Sequence, residues 1–149
     1  MAELVDADFG PRHILRGPAS GTALHGLVLP AEPCRAAEAN GIAALWLGPD
    51  EFLLLGCTAP QSAFVVVDVS HRTLGYRLAG ADAAMLLAGA VPLDLAPAAF
   101  PVGMCTRTMF EKAEIVLWRR GGDDWHIEVA RSFAPYLRDM LAAIRRANP

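Results

Sequence analysis

The chain has 149 residues, enough for one domain with a sizeable core or for two very small ones. Hydrophobic residues make up 54% of it and charged residues 19%, below the roughly 25% typical of soluble domains, and 13 basic against 16 acidic side chains leave a net charge of −3. The basic residues are scattered apart from Arg119-Arg120 and Arg145-Arg146, so no concentrated basic face is offered to nucleic acid, and no apolar run approaches the about 18 residues that a bilayer requires.

The first forty residues carry Pro11, Pro18, Pro30 and Pro33 and show little periodicity. An extended N-terminal segment is expected there, with one short strand near Leu24 to Leu29. The stretch "MAELVDADFG" has early acids where a signal peptide has positive charge, so a cytoplasmic chain is expected. From residue 41 the pattern sharpens. "AALWLGPDEFLLLG" places two apolar runs, 43–47 and 51–56, around Gly48-Pro49-Asp50-Glu51, and Pro49 presets the backbone of a turn. An exposed hairpin would alternate polar with apolar. This one does not, so either both its faces are covered within the domain or one awaits a partner.

"TAPQSA" reads as a short helix, and Phe64 to Val69 reads as a buried strand. Arg72 to Leu78 alternates and predicts a half-exposed strand. "GADAAMLLAGA" predicts a short helix, with Asp82 at its start, Met85 and Leu86 on one face and Gly89 as its stop. The proline-rich crossover "VPLDLAPAAFP" leads to strands at 103–110, 113–120 and 125–130, the last two joined by Gly121-Gly122-Asp123-Asp124. "RSFAPYLRDMLAAIRR" predicts a terminal helix. Ser132 is its candidate N-cap, Pro135 sits in its first turn, and Phe133, Tyr136, Leu137, Met140, Leu141 and Ile144 form its apolar stripe. The fold class read from this order is α+β, mainly antiparallel sheets with a few packed helices. The division expected is 1–40 as the extended segment and 41–149 as the main domain, a single domain overall, with lobes 41–100 and 101–149 as the alternative subdivision.

No P-loop, dinucleotide-binding or nucleophile-elbow motif occurs, although thirteen glycines are available. Cys34, Cys57 and Cys105 lack the spacing of a disulfide framework or a zinc site. His13, His25, His71 and His126 are far apart in the chain, and His126 is expected to point outward or to pair with a neighbour. Asp50 and Glu51 resemble a carboxylate pair but suit a polar turn better. Cys105 would be a reactive thiol only beside a base such as Arg107, and a buried cysteine is the plainer reading. Trp46, Trp118 and Trp125 could form a flavin-stacking surface, though strand aromatics usually pack across strands. Arg119-Arg120 reads as a solvated strand end rather than an anion site. No catalytic, cofactor-binding or metal-binding residue is assigned.

Four stretches, in this order and spacing, carry a family resemblance: Trp46-Leu47-Gly48-Pro49-Asp50-Glu51, Leu78-Ala79-Gly80-Ala81-Asp82-Ala83, Pro92-Leu93-Asp94-Leu95, and Trp118-Arg119 followed by Arg131-Ser132-Phe133. From about residue 41 onward the chain resembles the gamma subunit of heterotetrameric sarcosine oxidase and of N-methylglutamate dehydrogenase. More distantly it resembles the folate-binding domain of the glycine-cleavage aminomethyltransferase, the T-protein. Where that folate enzyme has two aspartates, this chain has Ala113-Glu114, and Gly103-Met104-Cys105 does not supply the Lys-Gly-Cys signature of the related iron–sulfur maintenance protein. The resemblance implies a non-catalytic subunit in an assembly that oxidatively demethylates sarcosine or another N-methyl amine. It implies alpha and beta partner subunits, with a delta subunit as a further one, that hold FAD, FMN, NAD and tetrahydrofolate. A partner surface is expected at Trp46 and Phe52 of the hairpin and at Pro92, Leu95 and Phe100 of the crossover. The alternatives are a free-standing oligomeric binding module, which includes a homo-oligomer of the isolated chain, and a small folate-dependent one-carbon transferase.

Overall fold

The computed structural model describes residues 1–149 and resolves into two compact units that interleave along the chain. One comprises Met1–Asp8, Thr73–Val102 and Arg107–Pro149, the other Phe9–Arg72 and Gly103–Thr106. Each has its own five-stranded sheet. The boundary at residue 41 expected from the sequence is not where the contacts divide. Residues 9–40 are a working part of the second unit and supply four of its strands: β2 (Arg12–Arg16), β3 (Ala23–Leu24), β4 (Leu27–Val28) and β5 (Ala36–Ala39).

In that second unit the strands run in the order β5-β6-β7-β2-β8, where β6 is Ile42–Gly48, β7 is Glu51–Leu55 and β8 is Val65–Asp68. The β6–β7 hairpin pairs Ala44 with Leu54 and Trp46 with Phe52, and a register shift between Trp46 and Gly48 accommodates the Pro49-Asp50 turn. Period-two geometry sends Ala44, Phe52 and Leu54 into a core with Leu15, Leu24, Leu27 and Leu29. On the opposite face Ala43, Leu45, Leu53 and Leu55 are no more than 5% exposed. Both faces are therefore buried within the chain, which accounts for the missing polar alternation.

The expected single strand near Leu24 to Leu29 is a miniature hairpin, β3 with β4, turned at His25 and Gly26, both at positive φ. No helix forms over 58–63, where the single proline, Pro60, lies between bends at 58–59 and 63–64. The run at 64–69 is an edge strand rather than a buried one. It pairs only with β2 and leaves Val65 and Val67 63% and 49% exposed. Gly56, at φ 81°, lets two loops meet: a Cβ there would lie 2.5 Å from the Gly41 carbonyl oxygen.

The first unit orders its strands β1-β9-β12-β11-β10: β1 (Glu3–Asp6), β9 (Thr73–Ala79), β10 (Cys105–Phe110), β11 (Ala113–Gly121) and β12 (Asp124–Ala130). Gly122 and Asp123 make the β11–β12 turn, with a register shift between Arg119 and Gly121. Helix α1 (Ala83–Ala88) buries Ala83, Leu86 and Leu87 and exposes Met85. The buried face runs through Ala83, Leu86 and Leu87, at i, i+3 and i+4, and Met85 falls outside it. Asp82 does not cap α1 with its side chain. Its carboxylate instead accepts the Ala2 backbone N–H and lies 3.9 Å from the terminal ammonium, fastening the start of the chain.

Helix α2 (Ala134–Ala147) follows a single 3-10 turn at Arg131–Phe133, so the helix begins two residues after the expected Ser132 cap, with Pro135 in its first turn. Leu137 and Leu141 are its buried stripe, whereas Phe133 remains 42% exposed. At the end of α1, Gly89 allows close approach to α2, since a Cβ there would sit 2.8 Å from Ile144 Cγ2.

Candidate functional site

The residues expected to form a partner surface divide by exposure. Phe52 is wholly inside the second unit's core, and burying its ring contributes about 2–3 kcal/mol there. Leu95 and Phe100 are 6% and 1% exposed. These three are removed from the candidate surface, because their apolar area is already spent on intramolecular packing. Pro92 is exposed and Trp46 is half-buried, so both still face outward in part. Leu93, next to Pro92, is 39% exposed.

Arg119 explains why Leu95 and Phe100 turn inward. It is not a solvated strand end but is 5% exposed, and its guanidinium donates to the carbonyl oxygens of Leu95 (3.2 Å), Phe100 (2.8 Å) and Gly122. The buried cation thus clamps residues 95–100 of the proline-rich crossover, satisfying backbone acceptors that no strand reaches. Trp125 lies beneath this clamp, wholly buried, with Phe100 5.3 Å away between ring centroids. Trp118 is 3% exposed and meets His126 edge-on. Both indoles are occupied by intramolecular packing, so neither presents a face for flavin stacking.

His126 pairs rather than pointing outward. It is fully buried, its Nε2 2.7 Å from Glu128 Oε1, and Glu128 Oε2 accepts the Thr73 hydroxyl at 2.6 Å. His126 and Glu128 are two apart on β12, a same-face spacing that was legible in "WHIEVA". Among the other histidines, the His25 ring accepts the Gln61 backbone N–H, and His13 is 8% exposed on β2. No three His, Cys, Asp or Glu side chains converge as metal ligands.

Asp50 and Glu51 answer to Arg16, whose guanidinium nitrogens lie 3.9 and 3.8 Å from their carboxylates. That arrangement pins the turn to β2 and is not an acid–base pair. Cys105 is fully buried, its Sγ donating to the Trp46 carbonyl oxygen, and burial, reinforced by Cys34, pushes its pKa up to about 12. It is an inert core thiol.

A groove of about 390 Å³ that sequence reasoning missed lies between β9 and the start of α2, lined by Leu74, Tyr76, Arg131, Pro135, Arg138 and Asp139. Its residues come from two segments more than fifty positions apart, so nothing in the linear chain announces it.

Comparison with known proteins gives a consistent result. The family model described as "Sarcosine oxidase, gamma subunit family" matches residues 57–145, more than half of the chain. The chain is 34% identical over 132 residues to sarcosine oxidase subunit gamma of Corynebacterium sp. (strain U-96), covering 80% of this chain and 64% of that one. It is 33% identical over 106 residues to the same subunit of Arthrobacter sp., covering 62% of this chain and 51% of that one. The chain therefore spans about half to two thirds of the length of these relatives. It also matches a chain in the structure of heterotetrameric sarcosine oxidase from Corynebacterium sp. U-96 in complex with pyrrole 2-carboxylate, with a TM-score of 0.83 and 28% identity over 97% of this chain and 84% of the other. On the strength of the family match and of a fold held in common along nearly its whole length, the chain belongs to the sarcosine oxidase gamma subunit family.

Proposed function

We propose that this chain is a non-catalytic gamma subunit of a heterotetrameric sarcosine-oxidase-like flavoenzyme, supporting oxidative demethylation of sarcosine or another N-methyl amine. The observation that carries the reading is the whole-chain likeness to a component of a solved heterotetramer. Side chains with reactive groups are engaged in packing: Arg119 in the crossover clamp, His126 with Glu128, and Cys105 in the core. FAD, FMN, NAD and tetrahydrofolate are assigned to the alpha and beta subunits. There the amine is oxidised to an imine at flavin, and the released one-carbon unit is trapped by tetrahydrofolate. The architecture is read as the aminomethyltransferase type, kept here as a scaffold. The assembly is proposed to be cytoplasmic.

Two separate surfaces are proposed for the partner subunits: Pro92 and Leu93 on the first unit, and Trp46 on the second. Tagging this chain and co-expressing it with the neighbouring alpha and beta subunits tests the reading. Co-purification of a flavin-coloured complex that survives size exclusion is expected. A tagged chain that elutes alone, or as a homo-oligomer free of flavoprotein, would sink the proposal in favour of a free-standing binding module.

A further inference from the structure

We propose that Cys34 and Cys105 form a reversible disulfide when hydrogen peroxide oxidises Cys34. Both residues belong to the second unit, and an antiparallel bridge between Arg35 and Met104 makes them the next pair in register. Two backbone bonds flank that bridge: the Cys105 N–H donates to the Cys34 carbonyl oxygen at 2.9 Å, and the Ala36 N–H to the Gly103 carbonyl oxygen at 2.8 Å. Residues opposed in an antiparallel ladder have Cα atoms about 4.5–5.5 Å apart, inside the range that a disulfide spans. All three cysteines of the chain are free thiols, and Cys34 and Cys105 lie so far apart in the sequence that no spacing rule pairs them.

The two thiols differ in the way that an attacked and a resolving sulfur must. Cys34 is half-buried, at φ 58° where the chain turns out of the ladder, so peroxide reaches it from solvent. Cys105 is fully buried and closed to reagents in solution. Burial first, and then Cys34, raise the Cys105 pKa, while the charge of Arg35 opposes them and favours the thiolate. The two thiols are therefore within electrostatic reach of each other, with a cation beside them. Cys105 meets one electrophile, its oxidised neighbour.

The chemistry balances with one hydrogen peroxide. The Cys34 sulfur attacks the O–O bond, an S–OH bond forms, and the first water leaves. The Cys105 sulfur then attacks the Cys34 sulfur, the S–S bond forms as the S–O bond breaks, and the departing hydroxide takes the Cys105 proton as the second water. Two thiols lose two electrons and the peroxide gains them. The source of the peroxide rests on the subunit reading, since an oxidase that passes flavin electrons to dioxygen releases hydrogen peroxide beside its own subunits. Redox sensing is the usual role of a transient disulfide in a reducing compartment. Forming this one also takes away the hydrogen that Cys105 Sγ donates to the Trp46 carbonyl oxygen at 3.6 Å, so the oxidation state registers at a residue proposed to face a partner.

The test treats the full-length chain with hydrogen peroxide, alkylates the remaining thiols in denaturant and maps the peptides by mass spectrometry. A Cys34–Cys105 linked peptide, an intact mass lower by two hydrogens, and recovery of both thiols with dithiothreitol are expected. Cys34→Ser should leave Cys105 reduced, and Cys105→Ser should leave Cys34 as a sulfenic acid that dimedone traps. Absence of the linked peptide from the wild-type chain overturns the proposal, whether Cys34 is trapped by dimedone, bonds to Cys57 or stays reduced. Oxidation of Cys105 in Cys34→Ser overturns the order of attack and the proposal with it. Added peroxide needs no partner, so a chain that forms the bond yet recovers no flavoprotein upholds this site and sinks the subunit reading alone.

Discussion

Arg119 and Trp125 face one another across the β11–β12 ladder, the guanidinium carbon 4.8 Å from the indole centroid, while the same guanidinium holds the Leu95 and Phe100 carbonyls. A cation stacked on a buried ring and bonded to backbone oxygens on a distant crossover ties β11, β12 and residues 95–100 into one structure. Lysine cannot reproduce this fork, having one nitrogen where three acceptors are served. Arg119→Lys is therefore expected to destabilise the chain by about 2–4 kcal/mol in urea unfolding followed by tryptophan fluorescence. A loss under about 0.5 kcal/mol would show that the crossover is held by packing alone.

Interior and surface roles in the apolar segments are separable by stability. Phe52→Ala should cost about 3–5 kcal/mol in the isolated chain, because it opens a cavity among Leu15, Leu24, Leu27 and Leu54. Leu93→Ala, at a position 39% exposed, should change stability by less than about 0.5 kcal/mol. Leu93→Asp should instead reduce recovery of the co-expressed complex. Equal thermal shifts for Phe52→Ala and Leu93→Ala would contradict the burial assignments.

Thiol accessibility gives an independent check. With the Cys105 pKa near 12, only roughly one molecule in ten thousand carries that thiolate at pH 8, and burial also raises the pKa of Cys57. Iodoacetamide at that pH should label Cys34 in the native chain and reach Cys57 and Cys105 only after denaturation. Peptide mass mapping that finds Cys105 modified as fast as Cys34 would refute the inert-core assignment.

Asp68 offers a pH prediction. The Ser70 side chain and backbone N–H, the latter 2.9 Å from the carboxylate, hold its pKa below the ordinary aspartate value. A folded-state pKa below the unfolded one means that the turn is stabilised above the unfolded value and loses that stabilisation as pH falls through the folded value. In carboxyl-detected NMR titration, Asp68 should titrate at lower pH than an unstructured aspartate, and Ser70→Ala should move it back upward. No upward movement would show that the Ser70 hydroxyl is not a cause, since the backbone N–H is retained in Ser70→Ala.

The β8 edge is a liability in the isolated chain, with Val65 and Val67 exposed on one face of an edge strand. Val65→Lys should leave Tm within about a degree and lower light scattering at high concentration, since a charge on an open edge opposes intermolecular pairing. Unchanged scattering would mean that another surface drives association.

The α+β class, most strand positions, the terminal helix and the family resemblance were all legible in the linear chain, because hydrophobic period, turn residues and motif order are local properties. Burial was not. "FVVVDV" has the composition of an inner strand, but its place at the sheet edge depends on which strands pair, a non-local matter. Arg119-Arg120 looks like a solvated end until the crossover folds back and presents carbonyls to one of the two. The interleaving of the two units and the Tyr76–Arg138 groove likewise arise from contacts between residues far apart in the chain, which no window of the sequence contains.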